Sequence, residues 1–116
     1  MPLTIRERNT GRLIASGSQD DNSVLLLEGN WYFAPDAVDT TELIITDRTY
    51  TCPYKGVCKW IDLQGTDGVL KNVGFVYYDT RDDYEFIRDR IAFYSRSTAG
   101  TMAAREDDVS AQRQVG

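Results

Sequence analysis

Short runs of alternating apolar and polar residues, interrupted by turn-forming residues about every 8 to 12 positions, dominate this chain. Such period-two runs are typical of strands with one buried face, and closely spaced turns are typical of antiparallel sheets. Hairpins are predicted at 9–11, where Asn-Thr-Gly separates two runs, and at 28–30, where Glu-Gly-Asn precedes the aromatic run 31–33. The sequence therefore predicts a mainly β, antiparallel protein.

One short helix is predicted within this β framework. Thr80 followed by Asp83 resembles a capping box, with the shorter carboxylate in place of Glu. Tyr84, Ile87 and Ile91 then recur at helical spacing. These residues are expected to form a helix with one apolar face, and residues 91–95 are expected to leave it as a strand.

The length of the chain limits the number of domains. With 116 residues, 41% of them hydrophobic, the sequence fits one domain with a single core. Residues 43–47 are expected to form a short strand, and residues 100–106 a last edge strand. Residues 1–106 are therefore assigned to the β domain, and the polar segment 107–116 to a flexible tail.

The charge of the chain limits its partners. A formal net charge of −5, without a run of Lys or Arg, argues against broad binding to nucleic acid or to anionic membranes. No apolar run approaches the roughly 20 residues that a membrane-spanning helix needs. The N-terminus also lacks the apolar region of a signal peptide. We therefore expect a cytoplasmic protein that binds neither nucleic acid nor membrane.

Two cysteines, Cys52 and Cys58, occur in a chain that has no histidine. A structural zinc site usually takes four ligands drawn largely from Cys and His, so no metal site is expected. A disulfide over so short a loop is geometrically allowed, but a reducing cytosol disfavours it. Two reduced thiols are expected, at least one of them buried.

The stretch Thr-Cys-Pro-Tyr-Lys-Gly, residues 51–56, is rich in chemical groups. Pro53 fixes its own backbone angle φ and pushes Cys52 into an extended conformation. Gly56 permits a positive φ or a close approach of another backbone. Tyr54 and Lys55 are thereby held in a fixed geometry, which fits a ligand site and also a tight interstrand turn. The combination Cys-Pro-Tyr-Lys favours the site.

Three further stretches accompany the motif core Cys-Pro-Tyr-Lys-Gly at 52–56. They are Phe-Ala-Pro-Asp-Ala-Val at 33–38, Phe-Val-Tyr at 75–77 and Ile-Ala-Phe-Tyr at 91–94. In order and spacing these residues resemble the DUF427 family of small proteins, which is also called nucleotidyltransferase 9. The resemblance covers roughly residues 12–106.

The family resemblance implies a fold, a compact β domain resembling the Mss4-like or β-tent architecture, in which two antiparallel sheets lean together. Many proteins of that architecture hold zinc through paired CxxC knuckles. This chain has no CxxC, so its sheets are expected to be held by side-chain packing alone. Family members usually carry Trp where this chain has Phe75, and Pro where it has Thr80.

A fold of this kind does not determine function, so the candidates come from the motif and the aromatic residues. We expect a pocket for a small anionic or nucleotide-like ligand, lined by Tyr54, Lys55, Trp31, Trp60, Phe75 and Tyr77. Lys55 is the candidate for anion binding or, with a pKa lowered by desolvation, for acid–base or Schiff-base catalysis. Cys52 is a candidate nucleophile whose base would be Lys55 or a carboxylate.

Two alternatives to a ligand-binding domain remain open. The first is a Mg²⁺-dependent nucleotidyltransferase that uses Lys55 together with paired carboxylates. Those carboxylates would come from Asp20 with Asp21 or from Asp36 with Asp39, although no Gly-rich phosphate-binding loop is present. No cofactor is expected outside this alternative. The second is an interaction module that binds another copy or a partner protein through exposed aromatic residues or a sheet edge.

Overall fold

A computed structural model describes residues 2–106, so the predicted tail, 107–116, lies outside the described residues. Within that part of the chain, nine strands form two antiparallel sheets. The strands are β1 (Leu3–Glu7), β2 (Leu13–Gly17), β3 (Val24–Leu27), β4 (Asn30–Phe33), β5 (Leu43–Cys52), β6 (Gly56–Gly65), β7 (Gly68–Thr80), β8 (Ile91–Tyr94) and β9 (Thr101–Arg105). The predicted mainly β architecture of two antiparallel sheets is confirmed.

The smaller sheet, ordered β2-β1-β9, brings the two ends of the described chain together. β1 and β2 form the hairpin predicted at 9–11, and β9 is the predicted last edge strand. Arg6 on β1 donates two hydrogen bonds of 2.9 Å to the Glu106 carboxylate, one from Nε and one from Nη2. The Thr4 hydroxyl donates a third to the same carboxylate at 2.6 Å. Glu106 therefore fastens the end of β9 to the middle of the sheet.

The larger sheet has six strands in the order β3-β4-β8-β7-β6-β5. The hairpin predicted at 28–30 is confirmed, because β3 pairs with β4 across Glu28 and Gly29. Both turn residues have positive φ, 52° and 81°, as the two-residue turn that matches the twist of a hairpin requires. At the other edge, β5 and β6 each have ten residues and β7 has thirteen.

The motif at 51–56 closes the hairpin between β5 and β6, where Cys52 pairs with Gly56. The strand predicted at 43–47 is longer than expected, because β5 continues through Cys52 into the motif. Gly56 has φ 124°, and a Cβ atom at this position would lie 2.0 Å from the carbonyl oxygen of Asp79 on β7. The turn is therefore held directly against the neighbouring strand, which leaves room for glycine only.

The predicted helix is a six-residue 3-10 helix, Asp82–Ile87. The prediction of a capping box at its start is wrong. The Thr80 hydroxyl donates to the Glu85 carboxylate instead of capping the helix, and Arg81 occupies the cap position without a side-chain hydrogen bond. Ile91 does not continue the helix, because Asp89 has a left-handed φ of 63°. The strand expected at 91–95 is confirmed as β8, which begins at Ile91. A second 3-10 helix has three residues, so no helix in the described part is long and apolar enough to cross a membrane.

Among residues 2–106 the buried side chains form two clusters, so the prediction of a single core is wrong. The larger cluster lies between the two sheets and includes Leu3, Ile5, Trp31, Phe33, Ile61, Leu63 and Phe93. The smaller cluster contains Tyr32, Cys58, Phe75, Tyr77, Ile87 and Ala92. Because neighbours along a strand point to opposite faces, Trp31 and Tyr32 of β4 belong to different clusters. The six-stranded sheet is therefore apolar on both faces.

Replacing Gly56 by alanine is expected to lower the free energy of unfolding by about 3 kcal/mol or more, because strain at positive φ adds to a backbone overlap. Gly29→Ala is the matched control, since Gly29 also has positive φ but no atom lies within 4 Å of the added Cβ. For that variant we expect a loss of about 1 kcal/mol. Urea unfolding followed by tryptophan fluorescence measures both, and equal losses would show that the approach to Asp79 is unimportant.

The Glu106 carboxyl is expected to make stability depend on pH. Hydrogen bonds from Arg6 and Thr4 lower its pKa to about 2, against about 4.3 in an unfolded chain. The stabilisation is therefore complete above the unfolded-state pKa and is lost as the pH falls towards about 2. Since the pair is partly exposed, Glu106→Gln should cost only about 1 kcal/mol at neutral pH.

Urea titrations of both proteins across this pH range test the Glu106 prediction. The difference in free energy of unfolding between wild type and Glu106→Gln should shrink as the pH falls. A difference that stays constant from neutral pH to about pH 2 would mean that ionisation of Glu106 does not stabilise the fold.

Candidate functional site

Five aromatic side chains lie together on the face of the larger sheet that points away from the smaller sheet. We call this group the aromatic face; its members are Tyr32, Trp60, Phe75, Tyr77 and Tyr94. Phe75 is at its centre, because the centroids of the four other rings each lie 5.9 Å from the centroid of Phe75. Phe75, Tyr32 and Tyr77 are buried, whereas Trp60 and Tyr94 are partly exposed. The aromatic face thus has a fixed floor and two rings that solvent reaches.

The aromatic face is concave, as an ion pair across it shows. The Lys55 ammonium, in the β5–β6 turn, contacts the Glu28 carboxylate, in the β3–β4 turn. In a flat sheet β4 and β6 would lie about 14 Å apart, and the two turns would be at opposite ends. The sheet must therefore bend towards this face to bring the two turns together. Irregularities in the pairing of β6 with β5 and with β7 supply such a bend.

Lys55 lies at the border of the aromatic face, and its side chain is only 12% exposed. Its Nζ atom lies 5.9 Å from the ring centroid of Tyr84, a residue that packs against the smaller cluster. Burial acts to lower the pKa of Lys55, but the hydrogen bond and charge of Glu28 outweigh burial, so the pKa is raised. The prediction that desolvation lowers the pKa of Lys55, as a catalytic base requires, is therefore wrong, and Lys55 stays cationic.

The two cysteines lie beside Tyr77 on the same concave face. Cys58 is directly opposite Tyr77 in the β6–β7 pairing and is 1% exposed. Cys52 packs against the same cluster but is partly exposed. Both cysteines are free thiols, as predicted.

The electrostatic environments of the two thiols differ. Burial acts to raise the pKa of Cys52, but the backbone N–H groups of Lys55 and Tyr54 lower it. The Lys55 charge and the Tyr77 hydroxyl lower it further, and the net pKa is below its ordinary value. For Cys58 burial prevails and raises the pKa. The more accessible thiol is therefore the one whose thiolate is stabilised.

The structure brings most of the predicted site residues together. Five of them lie on or beside the aromatic face: Lys55, Cys52, Trp60, Phe75 and Tyr77.

Two predicted residues lie elsewhere. Tyr54 is 73% exposed and does not pack against the smaller cluster. Trp31 belongs to the cluster between the sheets and lines a separate cavity of about 360 Å³ with Glu28 and Arg105. A ligand on the aromatic face would therefore not contact the Trp31 ring.

Sequence reasoning did not select Glu28, Tyr32 or Tyr94 for this site. The signal for Tyr32 and Tyr94 was present, because alternation along a strand places them on the face opposite Trp31 and Phe93. Glu28 carried no such signal. It is 27 residues from Lys55 in the sequence, and only the bend of the sheet brings the two together.

The carboxylates considered for Mg²⁺ are not arranged as a metal site. Asp39 accepts hydrogen bonds from Thr41 and Arg12, and Asp21 accepts one from the backbone of Ser23. Among residues 2–106, no group of three or more Cys, Asp or Glu side chains is placed to hold a metal ion. The described geometry thus offers no specific support for the Mg²⁺-dependent alternative.

Phe75→Ala is expected to lower the free energy of unfolding by about 3–5 kcal/mol, because it removes the ring that all others in the aromatic face contact. Tyr50→Ala is the control, since Tyr50 is 50% exposed and its ring contacts the edge of the group at Trp60. We expect a loss of about 1 kcal/mol or less for Tyr50→Ala. Thermal and urea unfolding measure both, and a small loss for Phe75→Ala would show that the aromatic face is not a packed unit.

Comparisons with known proteins bear on this geometry. Residues 4–105 match the model of a family described as a domain of unknown function, DUF427. No curated protein matches the chain. Among solved structures, the crystal structure of the Mis18 "Yippee-like" domain is similar, with a TM-score of 0.64 and 12% sequence identity. The match covers 90% of this chain and 97% of that one, and it confirms the predicted Mss4-like fold.

Proposed function

This chain belongs to the DUF427 family, a domain of unknown function, and we propose that it binds a small anionic or nucleotide-like ligand on the aromatic face. The observation that carries the proposal is a covered lysine cation beside a concave group of aromatic rings. In this proposal Lys55 contacts the negative charge of the ligand, and Trp60 and Tyr94 contact its planar part.

The aromatic rings suit a planar ligand. Trp60 and Tyr94 are partly exposed and both contact Phe75, which limits their freedom to rotate. Rings that are already ordered lose little conformational entropy when a ligand stacks on them. Stacking of a base on an aromatic side chain contributes about 1–3 kcal/mol and depends little on the identity of the base.

The ion pair with Glu28 suits an anionic ligand. The Lys55 side chain is held at the border of the aromatic face, whereas the Glu28 side chain is 55% exposed. Glu28 can therefore rotate into solvent and leave Lys55 to a carboxylate or phosphate of the ligand. In this proposal Glu28 occupies the place of the ligand's anionic group and competes with it for Lys55.

Thermal unfolding with a defined panel tests this proposal. The probes are AMP, ATP with and without Mg²⁺, nicotinate, benzoate and inorganic phosphate. At least one aromatic anion should raise the melting temperature, while phosphate alone should have a smaller effect because it cannot stack. Lys55→Ala should weaken binding at least about tenfold, or about 1.4 kcal/mol.

Glu28→Gln should strengthen binding of the same probe, because it removes the competing carboxylate. Lys71→Ala is the matched control, since Lys71 is exposed on β7 and should leave binding unchanged. Lys55→Ala itself should remain folded, because a partly exposed ion pair contributes only about 0–1 kcal/mol.

Three outcomes would overturn the proposal: no stabilisation by any probe, an unchanged effect in Lys55→Ala, or unfolding of Lys55→Ala. Stabilisation by ATP only with Mg²⁺ would favour the nucleotidyltransferase alternative. A mass by light scattering that rises with concentration, without a response to any probe, would favour an interaction module.

A further inference from the structure

The pairing of three strands places two thiols and one phenol next to one another. Cys52 pairs with Gly56 and Tyr50 pairs with Cys58, so Cys52 and Cys58 are diagonal neighbours on β5 and β6. Tyr77 is directly opposite Cys58 on β7. Side chains directly opposite each other have Cβ atoms about 4.5–5.5 Å apart. Tyr77 thus lies beside the buried thiol, and its hydroxyl also acts on the partly exposed thiol of Cys52.

The surroundings of Cys52 stabilise a negative charge on its sulfur. The backbone N–H groups of Tyr54 and Lys55, which follow Cys52 in the turn, act to lower the pKa of its thiol. The Lys55 charge and the Tyr77 hydroxyl act to lower this pKa further. The close approach of Gly56 to Asp79 holds this turn in place. These donors are fixed by the fold and do not depend on a ligand.

We propose that Cys52 is an oxidation site for hydroperoxides and that Cys58 is the thiol that resolves it. Redox-sensitive cysteines combine a lowered pKa, access to solvent and a second thiol close by. Cys52 is partly exposed, packs against the same cluster as Cys58, and has a pKa below its ordinary value. This inference goes beyond ligand binding and does not rest on it.

The reaction consumes one hydroperoxide for two thiols. In the first step the Cys52 thiolate attacks one peroxide oxygen, an S–O bond forms, and the O–O bond breaks. The leaving alkoxide or hydroxide takes a proton from water, which leaves a sulfenic acid on Cys52. In the second step the Cys58 sulfur attacks the Cys52 sulfur, an S–S bond forms, and the S–O bond breaks. The Cys58 proton leaves with the hydroxide as water.

The second step needs a small shift of the hairpin end. Diagonal neighbours in a sheet lie about 7–8 Å apart, whereas a disulfide joins Cα atoms about 4.4–6.8 Å apart. The pairing of β6 with β7 is irregular between Val57 and Cys58, next to the resolving thiol. We therefore expect the sulfenic acid to form faster than the disulfide.

Peptide mass spectrometry of the reduced full chain tests the site. The protein is treated with hydrogen peroxide at neutral pH, with and without dimedone, which traps sulfenic acids. In the wild type, dimedone should label Cys52 first, and without dimedone a peptide linked through Cys52 and Cys58 should accumulate. In Cys58→Ser the Cys52 sulfenic acid should persist and still be labelled by dimedone that is added after the peroxide, because the resolving thiol is gone.

The rate of Cys52 oxidation separates this proposal from a purely structural cysteine. The rate of peroxide oxidation of Cys52 should be at least about threefold higher in the native protein than in the urea-unfolded chain at the same pH. This factor already allows for the lower nucleophilicity of a more acidic thiol. Lys55→Gln should slow native Cys52 about threefold, because it removes the nearby positive charge. Lys71→Gln, which removes an exposed lysine from the middle of the chain, should leave the rate unchanged.

The wild-type measurements suffice if a variant fails to fold. Native Cys52 that reacts no faster than in the unfolded chain would overturn the proposal. Labelling of Cys58 before Cys52 would overturn it as well. If Cys52 forms the sulfenic acid but no linked peptide is found, Cys58 is not the resolving thiol and that half of the proposal fails.

Discussion

The close contact between the β5–β6 turn and the end of β7 is the constraint on which the concave face depends. Gly56 lies so near the Asp79 carbonyl that any side chain would overlap it. The backbone N–H of Arg81, the residue after β7, donates to the carbonyl of Lys55 at 3.0 Å, which adds a second link between the turn and the end of β7. With the turn held in this way, Lys55 and Cys52 are directed over the sheet, where Glu28 and Tyr77 meet them. The chemistry of the site thus follows from a backbone contact.

The strands and their turns could be predicted from the sequence because they depend on local patterns. Alternation of apolar residues located the hairpins at 9–11 and 28–30, and the motif at 51–56 pointed to the family and hence to the two-sheet fold. The helix at 82–87 was predicted less well. Helical spacing groups Ile91 with Tyr84 and Ile87, although a strand is also predicted at 91–95. The left-handed backbone at Asp89 separates the helix from that strand, which begins at Ile91.

The assembly of the site could be predicted only in part. Four of the residues predicted for the site lie together, namely Phe75, Tyr77, Trp60 and Lys55. The prediction also included Trp31, although strand alternation places it on the opposite face of the sheet. The partner of Lys55 depends on the bend of a whole sheet, which no local pattern encodes. The direction of the Lys55 pKa depends in turn on that partner, because burial alone would have lowered it.

Because the larger sheet is buried on both faces, its strands tolerate insertions and deletions of single residues poorly. On β6, Cys58 belongs to one cluster and Ile61 and Leu63 to the other. One residue inserted or deleted within the strand would exchange the faces of every side chain beyond it, because side chains alternate. Both clusters would then be disrupted together. The turn at 65–68 is free of this restriction, so it can absorb insertions and deletions that β6 cannot.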